Sequence, residues 1–156
     1  MTVSFRWHLA SRLGIAALTA AALAFGGPVQ AAVITAGAPT TAVPAALSDP
    51  LTTLADPLPA GRFLLPIEVA GASGLQDWRF DLTFDDSVVA PLDVGGLFQS
   101  VYQAVFSSTD PTLSDITSSG LVLPGRLEGV AGFSWGARGD GTLAFVLFEY
   151  RSGRDG

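Results

Sequence analysis

Residues 77–89 read DWRFDLTFDDSVV, and apolar and polar side chains alternate in them without interruption from Asp77 to Asp85. Successive side chains of a β-strand point to opposite faces, so this alternation predicts a strand with one buried face and one solvated face. Antiparallel sheets commonly have a solvated face, whereas parallel strands read as continuous apolar runs, so the pattern favours an antiparallel sheet. The apolar face carries Trp78, Phe80, Leu82 and Phe84.

The segments before and after this strand also have recognisable patterns. Residues 62–70, RFLLPIEVA, are predicted to form an edge strand, because Pro66 cannot donate to a sheet. Residues 71–75 have turn composition, so the two strands are expected to pair as antiparallel neighbours. After the second strand, the short oxygen-bearing side chains at 85–87 predict a brief helical turn before Pro91.

The C-terminal part of the chain contains further strand and turn signals. Residues 136–141, GARGDG, are the sharpest turn signal, and residues 107–112 and 117–120 have loop composition. Residues 142–150, TLAFVLFEY, are apolar on both faces until Glu149, which predicts a central strand covered on both sides. These short strands and glycine-rich turns predict an all-β protein, folded as an antiparallel β-sandwich.

The first 31 residues have the layout of a secretory signal peptide. Arg6 and Arg12 precede an apolar run over residues 13–25, and the small residue Ala31 predicts cleavage after it. The run is shorter than the about 20 apolar residues that a membrane-spanning helix needs, so an uncleaved anchor is the weaker alternative. We therefore predict a signal-peptide helix, export to the cell surface or medium, and no stable membrane span in the mature chain.

Length and composition limit the chain to one folded domain after residues 1–31 are removed. Residues 32–60 are rich in Ala, Pro and Thr and are interpreted as a linker that holds at most a short edge strand, and residues 61–156 are assigned to the sandwich. The chain has no Cys, so its stability must come from burial. Its net charge of −6 argues against a nucleic-acid-binding surface, which needs clustered basic residues.

Catalysis is not predicted from the titratable residues. The single His of the chain, His8, lies in the segment expected to be removed, which excludes histidine-based triads from the mature protein. Asp81 on the solvated strand face is interpreted as a solubility residue. Calcium is the one candidate cofactor, because hard cations bind several oxygens from loops. Its candidate ligands are Asp85, Asp86 and Asp140, although the spacing of a calcium-binding loop is absent and turn geometry also explains Asp140.

Aromatic side chains provide the candidates for ligand binding, because sugar rings stack on exposed Trp and Tyr faces. Trp78 shares its face with apolar residues and is assigned to the core. Trp135 is the main candidate, since Gly136 and Arg138 follow it and a large ring could stay exposed there. Tyr102 is a weaker candidate, and Arg138 is included as a polar partner.

Residues 74–89, GLQDWRFDLTFDDSVV, are followed at a distance by GDGTLAFVLF at residues 139–148, and together they resemble cohesin-type modules. They are most similar to exported, cohesin-like bacterial proteins that usually end in a PEP-CTERM sorting tail. The resemblance covers residues 62–150 and implies a jelly-roll-like sandwich of the superfamily shared with carbohydrate-binding modules. It implies polysaccharide or a dockerin-like protein as the partner and does not choose between them.

The end of the chain departs from this family. Residues 151–156 contain no Pro-Glu-Pro motif and no apolar tail, and the final strand usual in such modules is missing. We therefore expect a module truncated at its C-terminus, with an open sheet edge beside residues 142–150. The alternative is that an N-terminal piece such as residues 51–54 pairs with that edge.

The sequence therefore predicts an exported, non-enzymatic binding module. Binding of extracellular polysaccharide, or a role in the cell-surface matrix, is the first hypothesis. A cohesin-like protein-docking module is the alternative, and an enzyme is a more distant one.

Overall fold

The computed structural model describes residues 32–47, 54–92 and 100–151, and the backbone of residues 15–23. Every regular element in these ranges is a β-strand, and every strand pair is antiparallel, which confirms the predicted all-β class. No helix in this part of the chain is long and apolar enough to cross a bilayer. The strands are β1 (Ile15–Leu23), β2 (Val33–Ala36), β3 (Arg62–Phe84), β4 (Val89–Pro91), β5 (Val101–Val105), β6 (Leu113–Leu123) and β7 (Arg126–Tyr150).

Two long strands form the centre of the sheet. β3 has 23 residues and β7 has 25, and they pair from Arg62 opposite Glu149 to Thr83 opposite Arg126. The shorter strands pair with the outer edges of these two: β1 and β2 lie along β3, while β4, β5 and β6 lie along β7. A two-residue turn at Pro124 and Gly125 joins β6 directly to β7.

The sheet bends sharply in the middle of both long strands. The register of β3 against β7 shifts several times between Val69 and Asp77, which marks a series of β-bulges. Beyond this bend the two ends of β3 come together, because the rings of Phe63 and Phe84 both contact Phe148, with centroids 5.5 and 5.4 Å away. The sheet therefore curves back on itself as a half-barrel. The glycines with positive φ at the bend are Gly71, Gly74, Gly136 and Gly139.

The observed strands correct three sequence-based expectations, two of them at the bend. Residues 62–70 and the strand that contains Trp78 are not an antiparallel pair joined by a turn, because they are two halves of β3 and each pairs with β7. The GARGDG segment likewise lies inside β7 and not between two strands. Residues 117–120, expected as a loop, lie within β6. Glycines with positive φ serve bulges as well as turns, so composition alone does not distinguish a corner from a chain reversal.

The first core lies inside the curved sheet and confirms the predicted faces of the two strand segments. The alternating apolar residues from both halves of β3 point into it, and all of them are buried. β7 supplies the opposite wall. The largest members are Phe63, Leu65, Ile67, Trp78, Phe80, Leu82, Phe84, Phe106, Leu127, Leu143 and Phe148.

A second core covers the outer face of the sheet near the C-terminal half of β7. Phe145 and Leu147 point into it, while Val146 and Phe148 point into the first core, so this half of β7 is buried on both faces as predicted. Part of the segment interpreted as a linker packs here, including Val43, Ala46, Leu47, Leu54 and Leu58. β2 is the short edge strand expected within that segment, and Thr40 forms an isolated bridge with Leu64.

The open edge expected beside residues 142–150 is wrong, because β7 has neighbours on both sides there. Val146 lies between Leu65 of β3 and Val101 of β5. Two residues further along β7, Phe148 lies between Phe63 of β3 and Pro91 of β4. The covering strands are β4 and β5, whose shortness gives them a weak sequence signal. Residues 51–53, the alternative partner, lie outside the described residues.

The N-terminal apolar run differs from the signal-peptide helix expected there. Its described part, β1, pairs with residues 77–84 of β3, from Ile15 opposite Phe84 to Leu23 opposite Asp77. Inside a bilayer the same apolar residues favour a helix, because no other backbone hydrogen-bond partner exists there. Beside a folded sheet their backbone can instead form hydrogen bonds with the unpaired N–H and C=O groups of an edge strand. The predicted cleavage point at Ala31 lies outside the described residues.

Candidate functional site

An aromatic pair, exposed Trp135 and half-buried Phe133, lies on the outer face of β7. Phe133 and Trp135 alternate with Ser134, which is buried on the opposite face, so the strand period directs both rings outward. Trp135 is 77% exposed, and its ring meets Phe133 edge to face with centroids 4.9 Å apart. Gly136, with φ of 77°, follows immediately and begins the bend of β7. The Trp135 ring therefore stands at the rim of the corner, as the sequence predicts.

Carboxylates flank the aromatic pair. Phe133 lies directly opposite Asp77 of β3 on one side and Asp115 of β6 on the other, and directly opposed residues share a face of the sheet. The Gln103 amide Nε2 donates a hydrogen bond to Oδ1 of Asp115, which fixes that carboxylate from the side of β5. This surface, called the Trp135 face below, combines two aromatic rings with two carboxylate acceptors, of which Asp115 is held by Gln103.

Arg138 lies at the bend, three residues after Trp135, and its side chain is exposed. Its backbone N–H donates to Oδ2 of Asp110 at 3.0 Å. The Thr112 hydroxyl and N–H both donate to Oδ1 of the same carboxylate. The Thr112 hydroxyl, followed by the Arg138 N–H, therefore lowers the pKa of Asp110 below its ordinary value. Asp110 thus holds the loop before β6 against the backbone at Arg138.

Tyr102, the third predicted ligand-binding residue, is not part of this surface. It lies on β5 opposite Phe145, is 0% exposed, and belongs to the second core. The segment around Leu47 and Leu58 covers that face of the sheet, so no ligand at the surface can stack on the Tyr102 ring. A strand period of two cannot reveal such a cover, since it comes from a distant part of the chain.

Two of the three candidate calcium ligands, Asp85 and Asp140, accept hydrogen bonds from backbone N–H groups. Asp85 Oδ1 accepts from the N–H and hydroxyl of Ser87 at 2.9 and 2.6 Å, and its carbonyl accepts from Val88 and Val89, which forms the predicted turn. Asp140 Oδ1 accepts the N–H of Gly71 at 2.8 Å across the bend. Asp86 is half-buried. In the described part of the chain, no group of three or more His, Cys, Asp or Glu residues could hold a metal ion.

Asp81 has a structural role that sequence reasoning missed. Its Oδ1 accepts the N–H of Gly129 at 2.7 Å, at a bulge where the register of β3 against β7 shifts between Phe80 and Leu82. Gly129 has a φ of 72°, and Arg79 lies over it. The only sequence signal was the glycine after Glu128, because a glycine inside a strand pattern indicates a bulge.

A second exposed apolar feature lies at the end of β6. Leu121 and Val122 are 60% and 50% exposed, next to the turn into β7. Together with the Trp135 face, this feature gives the sheet exterior apolar surface, ring stacking, hydrogen-bond acceptors and exposed guanidinium groups, which is chemistry for binding.

The fold and this surface define an all-β antiparallel protein with an aromatic platform on its sheet exterior. Comparison with known proteins adds nothing to this class: no protein-family model, no curated protein and no solved structure matches the chain.

Proposed function

We propose that this chain is an exported, non-enzymatic module that binds extracellular polysaccharide, or a polysaccharide-bearing cell-surface matrix, through the Trp135 face. The observation that carries the proposal is the 77% exposure of the Trp135 ring. Tryptophan is enriched at interaction surfaces, because its large apolar ring packs against a partner while its N–H can still form a hydrogen bond. The edge-to-face contact with Phe133 holds this ring.

The chemistry of the Trp135 face suits a sugar better than an apolar ligand. A pyranose has an apolar face that stacks on an indole ring and a rim of hydroxyls that donate hydrogen bonds. Asp77 and Asp115 flank the platform as acceptors for such hydroxyls, and Gln103 fixes one of them. A platform held before binding loses little conformational entropy when the ligand arrives, which favours affinity.

The resemblance to cohesin-type modules supports a jelly-roll-like relative of carbohydrate-binding modules. The two resembling phrases, residues 74–89 and 139–148, fall mainly on β3 and β7, the two central strands of the sheet.

The proposal is tested by affinity electrophoresis of the purified chain in gels that contain single polysaccharides, with Trp135→Ala and Leu121→Ala compared. Leu121→Ala is the matched control, since it truncates another exposed apolar side chain. We expect Trp135→Ala to weaken binding about tenfold or more, which corresponds to the loss of about 1.4 kcal/mol, and Leu121→Ala to leave it unchanged. Equal retardation of both variants, or a wild-type chain that no polysaccharide retards, would contradict the proposal.

A cohesin-like docking module is the second candidate, and the exposed pair Leu121 and Val122 favours it. Apolar side chains at a sheet edge are suited to a protein surface and less suited to a sugar. In a pull-down with dockerin-like proteins, a docking role predicts that Leu121→Asp abolishes capture and that Trp135→Ala does not. The opposite pattern would assign the protein contact to the Trp135 face.

A further inference from the structure

The outer edge of β3 over residues 77–84 is occupied by β1. The pairing runs antiparallel from Ile15 opposite Phe84 to Leu23 opposite Asp77, with one irregularity between Ile15 and Ala17. On its other side the same part of β3 pairs with β7. With β1 in place, this half of β3 is an inner strand of the sheet.

Without β1, the same residues would form an edge that carries part of the core. Every second N–H and C=O of residues 77–84 would lose its partner on that side. Trp78, Phe80 and Leu82, each at most 2% exposed, would lie on an edge strand. An exposed edge backed by large apolar side chains recruits a strand from another chain.

The segment that fills this edge is also the segment that the sequence marks for removal. Its residues, IAALTAAAL, are uncharged, and the nearest charge before them is Arg12. Cleavage after Ala31 would separate this strand from the sheet.

We infer that the β3 edge over residues 77–84 is a strand-binding site, which β1 fills in the uncleaved chain. Cleavage opens it to a partner protein that supplies an uncharged strand of Ala, Leu, Ile and Thr residues with a basic flank. This inference rests on the proposed export, since only cleavage vacates the edge. The composition of the partner strand follows from the segment that occupies the site and from the net charge, which is −6 for the full chain and 6 − 14 = −8 once Arg6 and Arg12 are removed. This charge attracts a basic flank and opposes a second copy of this chain.

The test uses the full chain, residues 1–156, produced in a cytosol so that residues 1–31 are retained. The variant carries Thr19→Pro and Ala20→Pro together, because one of any two adjacent strand residues directs its N–H toward a given neighbour and proline has none. The probe is a fluorescent peptide of residues 12–23, and its control is the same peptide with both prolines. We expect the variant to bind one peptide per chain, the wild type to bind at least about tenfold more weakly because β1 competes, and the control peptide not to bind.

Hydrogen exchange gives a second measurement, and its wild-type part does not depend on the variant folding. In the wild-type chain, we expect all backbone amides of residues 77–84 to be protected. In the variant, every second one should exchange fast until the peptide is added.

Three results would overturn the inference. The first is fast exchange at alternate amides of residues 77–84 in the wild-type chain. The second is a folded variant that does not capture the peptide. The third is a variant that dimerises and excludes the peptide, which would make a second copy the occupant. Because no step requires secretion or a polysaccharide, failure here is distinguishable from failure of the proposed function.

Discussion

Phe80 and Asp81 are neighbours on β3 with opposite environments. Phe80 is 1% exposed in the first core, whereas Asp81 faces outward and accepts the Gly129 N–H. Phe80→Asp should unfold the protein, because removal of a buried ring alone costs about 3–5 kcal/mol and an unpaired buried charge adds to this, against a total stability of about 5–15 kcal/mol. Circular dichroism with urea titration measures the loss.

The Asp81 variants complete the same series. Asp81→Ala leaves the Gly129 N–H without its acceptor at the bulge and should cost about 1 kcal/mol. Asp81→Asn retains an acceptor oxygen and should cost less than Asp81→Ala. If Asp81 served only solubility, as the sequence suggested, both Asp81 variants would be as stable as the wild type. Similar midpoints for Phe80→Asp and Asp81→Ala would show that the strand faces are assigned wrongly.

Asp110 gives the chain a defined response to acid. Its pKa lies below the ordinary value of 3.8, first because of the Thr112 hydroxyl and then because of the Arg138 N–H. For a group whose folded pKa is lowered, the stabilisation is complete above the unfolded pKa and is lost as the pH falls through the folded value. We expect Asp110→Asn to be less stable than the wild type at pH 7, and the difference to shrink below about pH 4.

Thermal midpoints between pH 7 and pH 2 check this expectation. Thr112→Val is the second variant, because it removes the largest cause of the lowered pKa and leaves Asp110 itself in place. The difference in stability between the wild type and Thr112→Val should also shrink as the pH falls below about 4, but it should be smaller than the difference for Asp110→Asn. Parallel curves for the wild type and both variants would mean that ionisation of Asp110 contributes nothing to stability.

At the scale of single elements, the close approach of three strands at Gly132 is a sharp constraint. A Cβ there would collide with the backbone carbonyl of Asp115 on β6 and with the Trp78 ring on β3. Gly132→Ala should therefore destabilise by about 1–3 kcal/mol, because neither the strand nor the packed ring can move freely. Chemical denaturation measures this.

Gly74→Ala is the matched control for that substitution. Nothing lies within 4 Å of a Cβ at Gly74, but its φ of 73° imposes the conformational strain of the left-handed region, about 1 kcal/mol. We expect Gly132→Ala to be the more destabilising of the two. The reverse order would show that backbone conformation at the bend matters more than packing between the strands.

The sequence predicted the composition of the strands better than their connections. Alternation over residues 77–85 and the double-sided apolar run at 142–150 both reported local burial, and the structure confirms them. The bend could not be predicted, because glycines at 71, 74, 136 and 139 carry the same signal for a bulge as for a hairpin turn. The short strands β4 and β5 have too few residues for a periodic signal.

At the scale of the whole molecule, local sequence predicted one feature of the candidate site and missed those that depend on distant segments. Exposure of Trp135 could be predicted, since a local change from strand to glycine-rich corner places the ring at a rim. Burial of Tyr102 could not, because residues 43–47, together with Leu54 and Leu58, cover it from a distance along the chain. The hydrogen bonds of Asp81 and Asp110 also join residues far apart in sequence.

In the export that we propose, translocation and folding would use the same N-terminal residues, and the order of synthesis would favour translocation. The site of β1 on β3 is complete only after β7 has formed, and β7 is the last of the described strands. The apolar run would therefore emerge before its edge exists, and a signal peptidase would meet it unpaired. Cleavage after Ala31 would leave Ala32, which packs against the first core, and β2 in place.

We therefore expect the mature protein to begin at Ala32 outside the cytoplasm of an exporting host. N-terminal sequencing of the extracytoplasmic fraction checks this, with Ala31→Phe expected to block cleavage, since the peptidase accepts only small residues at that position. Gln30→Phe is the matched control, because the intervening position is unrestricted. Intact Met1 in a cytosolic fraction would contradict export and would make β1 a permanent strand of the sheet.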